Sequence, residues 1–119
     1  MEGMLYLCAT PIGNLGDITF RALETLKSID MILAEDTRKT IKLLNHFEIS
    51  KPMISFYRHN EGTKVESVIN LLLEGKNFAL VSDAGTPAIS DPGEDLVKEA
   101  IKNEIDIVPI PGAVAFIQG

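Results

Sequence analysis

Short apolar runs alternate with amphipathic stretches along the chain. The apolar runs are bounded by turn residues, as is typical of buried strands, and they cover 4–9, 31–35, 53–57, 78–82 and 105–110. The stretches between them repeat apolar residues at helical spacing, and they cover 18–29, 37–47, 64–75 and 94–104. The pattern therefore predicts five strands that alternate with four helices.

Each predicted helix has one apolar face that is expected to pack on the core. In chain order these faces hold Phe20, Leu23, Leu26 and Ile29; Thr40, Leu43, Leu44 and Phe47; Val65, Val68, Ile69 and Leu72; and Leu96, Val97, Ala100 and Ile101. Asp17 is expected to be the N-cap of the first helix, and Gly75 the C′ residue of the third.

The alternation predicts an α/β fold with a mostly parallel five-stranded sheet. The predicted strands are apolar on both faces, so helices are expected on both sides of the sheet. A length of 119 residues suits one domain. The last residues, 111–119, resemble the start of a fifth helix, so we expect the chain to be the first part of a longer protein.

Composition narrows the class of protein further. The net charge is −6, and residues 61–119 carry all of it, with 4 basic and 10 acidic side chains, so no basic footprint for bare nucleic acid stands out. Cys8 is the single cysteine and cannot form an internal disulfide, which favours a cytoplasmic protein. Two histidines and one cysteine make a zinc site unexpected. No apolar run approaches the roughly 20 residues of a membrane span, so no membrane partner is expected.

Ligands of open α/β sheets bind beyond the carboxyl ends of the strands, so the segments that follow the predicted strands are the candidate site. Segment 10–17 contains Pro11 and Gly13, which allow a ligand to approach the backbone closely. It has neither a dinucleotide fingerprint nor a phosphate loop, and an ordinary turn explains it equally well. After the second strand, Glu35 or Asp36 is a candidate for binding a ribose, and capping of the next helix by Asp36 is an equal alternative.

Three further segments carry candidate chemistry. Arg38, Lys39 and Lys42 form the densest basic cluster, which is either a phosphate contact or a solvated helix face. Residues 57–61 gather polar groups suited to substrate contact or proton transfer. Residues 82–94 form a long loop of small residues that exposes backbone groups. Together, the loops after the strands form a surface of small residues with carboxylates and few basic side chains. A surface of this kind suits a ligand with a positive charge and an adenine-like plane.

Five motifs occur in one order and spacing: ATPIGNLGDIT, AEDTR, HNE, VSDAGTPAISDPG and PIPGA. Together they resemble the tetrapyrrole-methylase-like family of S-adenosylmethionine (SAM)-dependent methyltransferases, and within it the branch that methylates small-subunit ribosomal RNA. The resemblance implies that residues 1–119 are the N-terminal methylase domain of a two-domain homodimeric enzyme, with SAM held between the domains. It also implies methylation of a cytidine 2′-hydroxyl in small-subunit (16S) rRNA, on the ribosomal particle.

The resemblance also implies a set of site residues. The expected cofactor contacts are Pro11, Ala84, Gly85, Thr86, Ile89, Val114 and Ala115. A ribose hydroxyl is a poor nucleophile until its proton is drawn away, and the candidates for this general base are Asp36, His59 and Glu61. The candidates for contact with RNA phosphates are Arg38, Lys39 and Arg58.

Other functions compatible with the sequence are methylation of a small tetrapyrrole precursor, nucleotide binding without catalysis, and a purely structural half-domain. The EDTR and HNE motifs argue against the first. The absence of both G-x-G-x-x-G and GK[ST] argues against the second.

Overall fold

The computed structural model describes residues 3–9, 18–34, 37–55, 61–82 and 91–110. Within these ranges, strands and helices alternate as the pattern predicts. They are β1 (Leu5–Ala9), α1 (Phe20–Ser28), β2 (Met31–Ala34), α2 (Thr37–His46), β3 (Met53–Ser55), α3 (Glu61–Leu73), β4 (Phe78–Ser82), α4 (Asp91–Lys102) and β5 (Ile107–Ile110). Helices α3 and α4 each begin three residues earlier than predicted, so the loop expected over 82–94 ends at 90.

The strands form one sheet in the order β3-β2-β4-β1-β5, and every pairing is parallel. The chain moves from β1 to β3 in one direction across the sheet and from β3 to β5 in the other. Because parallel crossovers are right-handed, this reversal sends α1 and α2 to one face and α3 and α4 to the opposite face. The α/β fold with helices on both faces is thus confirmed.

The two faces of the sheet have separate cores. On one face Leu5, Leu7, Phe78 and Leu80 pack in a cluster with the apolar residues of α3 and α4. On the other, Cys8, Ile32, Ala79 and Val81 pack with those of α1 and α2. The apolar face predicted for α3 is confirmed in full, since Val65, Val68, Ile69 and Leu72 are all buried.

Two residues of the predicted apolar faces are instead exposed. Phe20 is 77% exposed and Ile101 is 62% exposed. At about 3.6 residues per turn, Phe20 lies on the opposite side of α1 from Ala22 and Leu26, which are fully buried. The placement of Phe20 and Ile101 in the core is therefore wrong, because the buried stripe of each helix is narrower than its apolar composition suggests.

The N-cap of α1 is Thr19 rather than Asp17. The backbone of Thr19 is extended, and its Oγ1 accepts a hydrogen bond from the Ala22 N–H at 3.1 Å. Thr19 thus satisfies one of the free N–H groups at the start of the helix. Asp17 itself lies outside the described residues.

Three helices end in the same hydrogen-bonded turn. After α3, Gly75 has φ 105°, Gly75 N–H donates to the Leu72 carbonyl and Lys76 N–H donates to the Leu71 carbonyl, which is a Schellman motif. The predicted role of Gly75 is therefore confirmed. The equivalent left-handed position is Glu48 after α2 (φ 56°) and Glu104 after α4 (φ 59°). Both glutamates are in a conformation that favours glycine.

Asn77 joins three strands at the amino edge of the sheet. Its side-chain oxygen accepts from Met4 N–H at 2.8 Å, and its carbonyl accepts from Asp30 N–H at 2.9 Å. Its own N–H donates to the Asp30 carboxylate at 2.8 Å. This network satisfies backbone groups at the edge where the strands begin.

We expect Glu48→Gly to raise the free energy of unfolding by about 0.5–1 kcal/mol, because glycine relieves the left-handed strain despite its greater freedom in the unfolded chain. Glu104→Gly should act similarly. The measurement is urea denaturation followed by circular dichroism. Glu66→Gly, at an exposed position inside α3, is the control and should lower the free energy of unfolding by about 1 kcal/mol. Equal destabilisation by all three changes would contradict this account.

Cys8 should be chemically inert in the folded protein. Burial raises the pKa of its thiol from 9.0 to about 12, so about one thiol in 10⁴ is ionised at pH 8. Disulfide reagents should therefore label it only after unfolding in urea.

The raised pKa of Cys8 in the folded protein also contributes to the free energy of unfolding. This contribution is complete below pH 9 and is lost as pH rises toward 12. Cys8→Ala should remove that part of the pH dependence of stability. Rapid labelling of Cys8 in the native protein would refute the burial of its thiol.

Candidate functional site

The carboxyl ends of all five strands lie level at one edge of the sheet. Ala9 of β1 is in register with Ser82 of β4, and Ala34 of β2 is in register with Val81 of β4 and Ser55 of β3. Four of the five strands end in alanine or serine. Small side chains at these positions leave room for a ligand close to the backbone.

The direction of the chain changes at β4. This strand leads into α4 on one face, whereas its two neighbours in the sheet, β1 and β2, lead into α1 and α2 on the other. In open α/β sheets, connections that leave toward opposite faces form the crevice in which ligands bind. The described part of the fold therefore has a topological switch point at the carboxyl end of β4, where the SDAGTP motif begins and where a ligand is expected to bind.

The strand order separates the predicted site residues into two groups. The segments with the seven expected cofactor contacts follow β4, β1 and β5, which are three adjacent strands. The segments with the expected base and phosphate contacts follow β2 and β3, which form the other end of the sheet. We call the side with β4, β1 and β5 the cofactor half and the side with β2 and β3 the substrate half, after the roles predicted for the segments that follow them. The order of motifs along the chain does not reveal this division.

Three of the predicted site residues lie in described elements. Arg38 and Lys39 are exposed in the first turn of α2, directly beyond the end of β2. Glu61 is the first residue of α3 rather than part of a loop. The remaining predicted residues lie outside the described ranges; they are Pro11, Asp36, Arg58, His59, Ala84, Gly85, Thr86, Ile89, Val114 and Ala115.

The helices on the two faces of the sheet carry opposite charge. Helices α1 and α2 contain five Lys or Arg residues and one acidic residue, and neither has an acidic residue in its first turn. Helices α3 and α4 contain three Lys residues and six acidic residues. Sequence reasoning recognised the basic cluster of α2 but missed Arg21 of α1, because only the fold shows that α1 and α2 pack on the same face of the sheet.

Other chemistry is not evident in the described residues. A groove of about 780 Å³ lies between α3 and α4, lined by Val65, Ile69, Ile101 and charged neighbours, but no residue of a strand end contributes to it. In the described ranges, three or more potential metal ligands do not come together. None of the helices described is long and apolar enough to cross a membrane. With its raised pKa, the buried Cys8 is not a candidate nucleophile.

Comparison of folds shows the same architecture in two solved structures. The chain superposes on a uroporphyrin III C-methyl transferase from Thermus thermophilus with a TM-score of 0.70 at 14% identity, covering 92% of this chain and 48% of that one. It superposes on a conserved hypothetical protein from Aeropyrum pernix K1 with a TM-score of 0.72 at 17% identity, covering 94% of this chain and 39% of that one.

Sequence comparison gives much closer relatives. The chain is 59% identical, over 98% of its length, to a protein of Halalkalibacterium halodurans named ribosomal RNA small subunit methyltransferase I. It is 56% identical, over 97% of its length, to the Synechocystis protein of the same name. The chain spans only 40% and 41% of those relatives. Residues 4–118 match the family of Tetrapyrrole (Corrin/Porphyrin) Methylases. Because the match extends over nearly all of its residues, the chain belongs to the tetrapyrrole (corrin/porphyrin) methylases.

Proposed function

We propose that this chain is the N-terminal methylase domain, residues 1–119, of a SAM-dependent methyltransferase that acts on small-subunit ribosomal RNA. The observation that carries the proposal is the 59% identity, over 98% of this chain, to a protein named for that activity. Since the chain spans about 40% of such relatives, a second domain would complete both the cofactor site and the enzyme.

The described edge of the sheet fits a SAM site. Strands β4, β1 and β5 are adjacent, so the segments that follow them leave the sheet from neighbouring strand ends. There Ala84, Gly85, Thr86 and Ile89 after β4 would hold the cofactor together with the residues after the other two strands, Pro11, Val114 and Ala115. Small residues and glycine in these segments suit recognition by backbone groups.

When bound, SAM supplies a methyl group already activated by a sulfonium. The substrate hydroxyl would attack this methyl group in line, so that an O–C bond forms as the C–S bond breaks and S-adenosylhomocysteine is released. The chain's task is alignment, which lowers such barriers by roughly 7–11 kcal/mol. Removal of the hydroxyl proton by Asp36, His59 or Glu61 would add about 10²–10⁴-fold in rate. Arg38, Lys39 and Arg58 would hold RNA phosphates on the substrate half of the edge.

The proposal extends to the target and the assembly. The target is the 2′-hydroxyl of a cytidine in small-subunit (16S) rRNA, modified on the ribosomal particle by a cytoplasmic homodimer. The sequence motifs support this extension through the family branch that they resemble. The alternative of a small tetrapyrrole precursor draws support from the family and fold, but the 14% identity to the uroporphyrin enzyme is far below that to the rRNA methyltransferases.

Gly85→Val should abolish cofactor binding in the complete protein, because a branched side chain would stand where the backbone approaches the ligand. The measurement is calorimetric titration with S-adenosylhomocysteine, with ATP in parallel as a nucleotide that lacks the sulfur. Gly62→Val, in the first turn of α3 beyond the substrate half, is the matched control and should bind normally. Retained affinity in the Gly85 variant, with an unchanged circular dichroism spectrum, would contradict the cofactor assignment.

The complete protein should transfer labelled methyl groups from SAM to small-subunit particles, and the product should resist alkaline cleavage at one cytidine. Resistance is expected because alkaline cleavage needs a free 2′-hydroxyl as nucleophile. Mass spectrometry of the digested RNA identifies the nucleoside. Methyl groups found on a base would overturn the 2′-hydroxyl target, and transfer to uroporphyrinogen III but not to RNA would favour the tetrapyrrole alternative.

A further inference from the structure

The outer surface of α1 and α2 combines exposed cations with exposed apolar side chains. Arg21 of α1 and Arg38 and Lys42 of α2 are exposed, and so are Phe20 (77%) and Ile41 (45%). We call these five residues the α1–α2 face. Phe20 and Arg21 lie in the first turn of α1, and Arg38, Ile41 and Lys42 lie within the first six residues of α2. Both stretches are toward the carboxyl edge, because each helix follows the carboxyl end of a strand.

The exposure of Phe20 has no explanation in the core. The apolar cluster on this side of the sheet is built from Ala22, Leu26, Leu43 and Leu44, all on the inward stripes of the two helices. Phe20 points away from that stripe, and the first turn of α1 is capped by Thr19 without help from the ring. Phe20 is followed in the sequence by Arg21, which is also exposed, and exposed aromatic rings together with basic side chains are a feature of proteins that bind single-stranded nucleic acid.

The charge of the two helix pairs distinguishes RNA from a protein partner. The excess of basic residues in α1 and α2, five against one, complements a phosphate backbone. Lysine is depleted at the centre of protein–protein interfaces, whereas Lys42 lies next to the exposed Ile41. The acidic helices α3 and α4 would repel the same RNA.

We propose that the α1–α2 face holds an unpaired segment of the RNA along the carboxyl edge, from α2, which follows β2 in the substrate half, to the start of α1, which follows β1. Arg21 and Lys42 contact phosphates, and the ring of Phe20 stacks with one unpaired base. This inference rests on the proposed function and deepens it, because it extends the RNA-binding surface beyond the strand ends to a helix, α1, in which no substrate residue was predicted. It requires no chemical step beyond the methyl transfer already described.

The first test is charge reversal in the complete protein. Fluorescence anisotropy with a labelled single-stranded RNA of about 20 nucleotides measures affinity as a function of salt. Arg21→Glu with Lys42→Glu should weaken binding at least tenfold at low salt and reduce the slope of log K against log salt by about 1.4, for two lost phosphate contacts. Lys76→Glu with Lys98→Glu makes the same change in charge away from the α1–α2 face and should change affinity less than twofold.

The second test separates stacking from apolar contact. Phe20→Ala should weaken RNA binding about tenfold, Phe20→Tyr should retain the affinity of the natural protein, and Phe20→Leu should be as weak as alanine. Thermal stability should be the same in all three, because the ring is mostly exposed. If leucine binds RNA as well as phenylalanine, stacking is refuted.

Parallel measurements keep this inference distinct from the proposed function. Binding of S-adenosylhomocysteine and methylation of small-subunit particles are followed in the natural protein. If it methylates particles while charge reversal on the α1–α2 face leaves RNA affinity unchanged, the surface is refuted and the function stands. If the reversal instead alters the sedimentation coefficient alone, the face is an interface between copies and the inference fails. If RNA binds through this face without methyl transfer, the surface stands and the proposed function falls.

Discussion

Strands β1 and β4 must be covered on both sides, and the rest of the fold depends on that requirement. Leu5 and Phe78 point to one face and Cys8 and Ala79 to the other, and all four are fully buried. Leaving either face open would expose apolar surface to water, which costs about 25 cal/mol of free energy per Å². Two helices on each face are the solution, and right-handed crossovers then require the chain to reverse its direction across the sheet. The reversal makes β4 the topological switch point of the sheet.

The two edges of the sheet consequently differ in what they can do. At the amino edge, Asn77 satisfies backbone groups of neighbouring segments with its side chain and its own backbone, which leaves little capacity for a ligand. At the carboxyl edge the strands end in small residues, and the motif-bearing segments follow. Strand order then sorts those segments, bringing those after β4, β1 and β5 together and leaving those after β2 and β3 at the other end.

The two faces of the sheet have similar cores, but the outer surfaces of their helices carry opposite charge. Both cores are built from aliphatic side chains of two helices packed on the same sheet. The outward residues are free of that constraint, and they are basic on α1 and α2 but acidic on α3 and α4. A net charge of −6 for the whole chain therefore conceals a local surface suited to an anionic partner.

The sequence by itself determined the identity and order of all nine elements, the α/β class, and the C′ role of Gly75, because periodicity and turn chemistry are local properties. It also contained the motifs that define the family. It misassigned Phe20 and Ile101 to the core, because apolar composition does not specify which side of a helix meets the sheet. It misassigned Asp17 to the N-cap, because several polar residues near the start of a helix compete to cap it. Strand order and the division of the edge into two halves were decided only by the tertiary structure. So was the placement of Arg21 on the same face of the sheet as the basic cluster of α2. All three depend on which strands pair across the sheet, and such contacts join residues far apart in the chain, which no local pattern encodes.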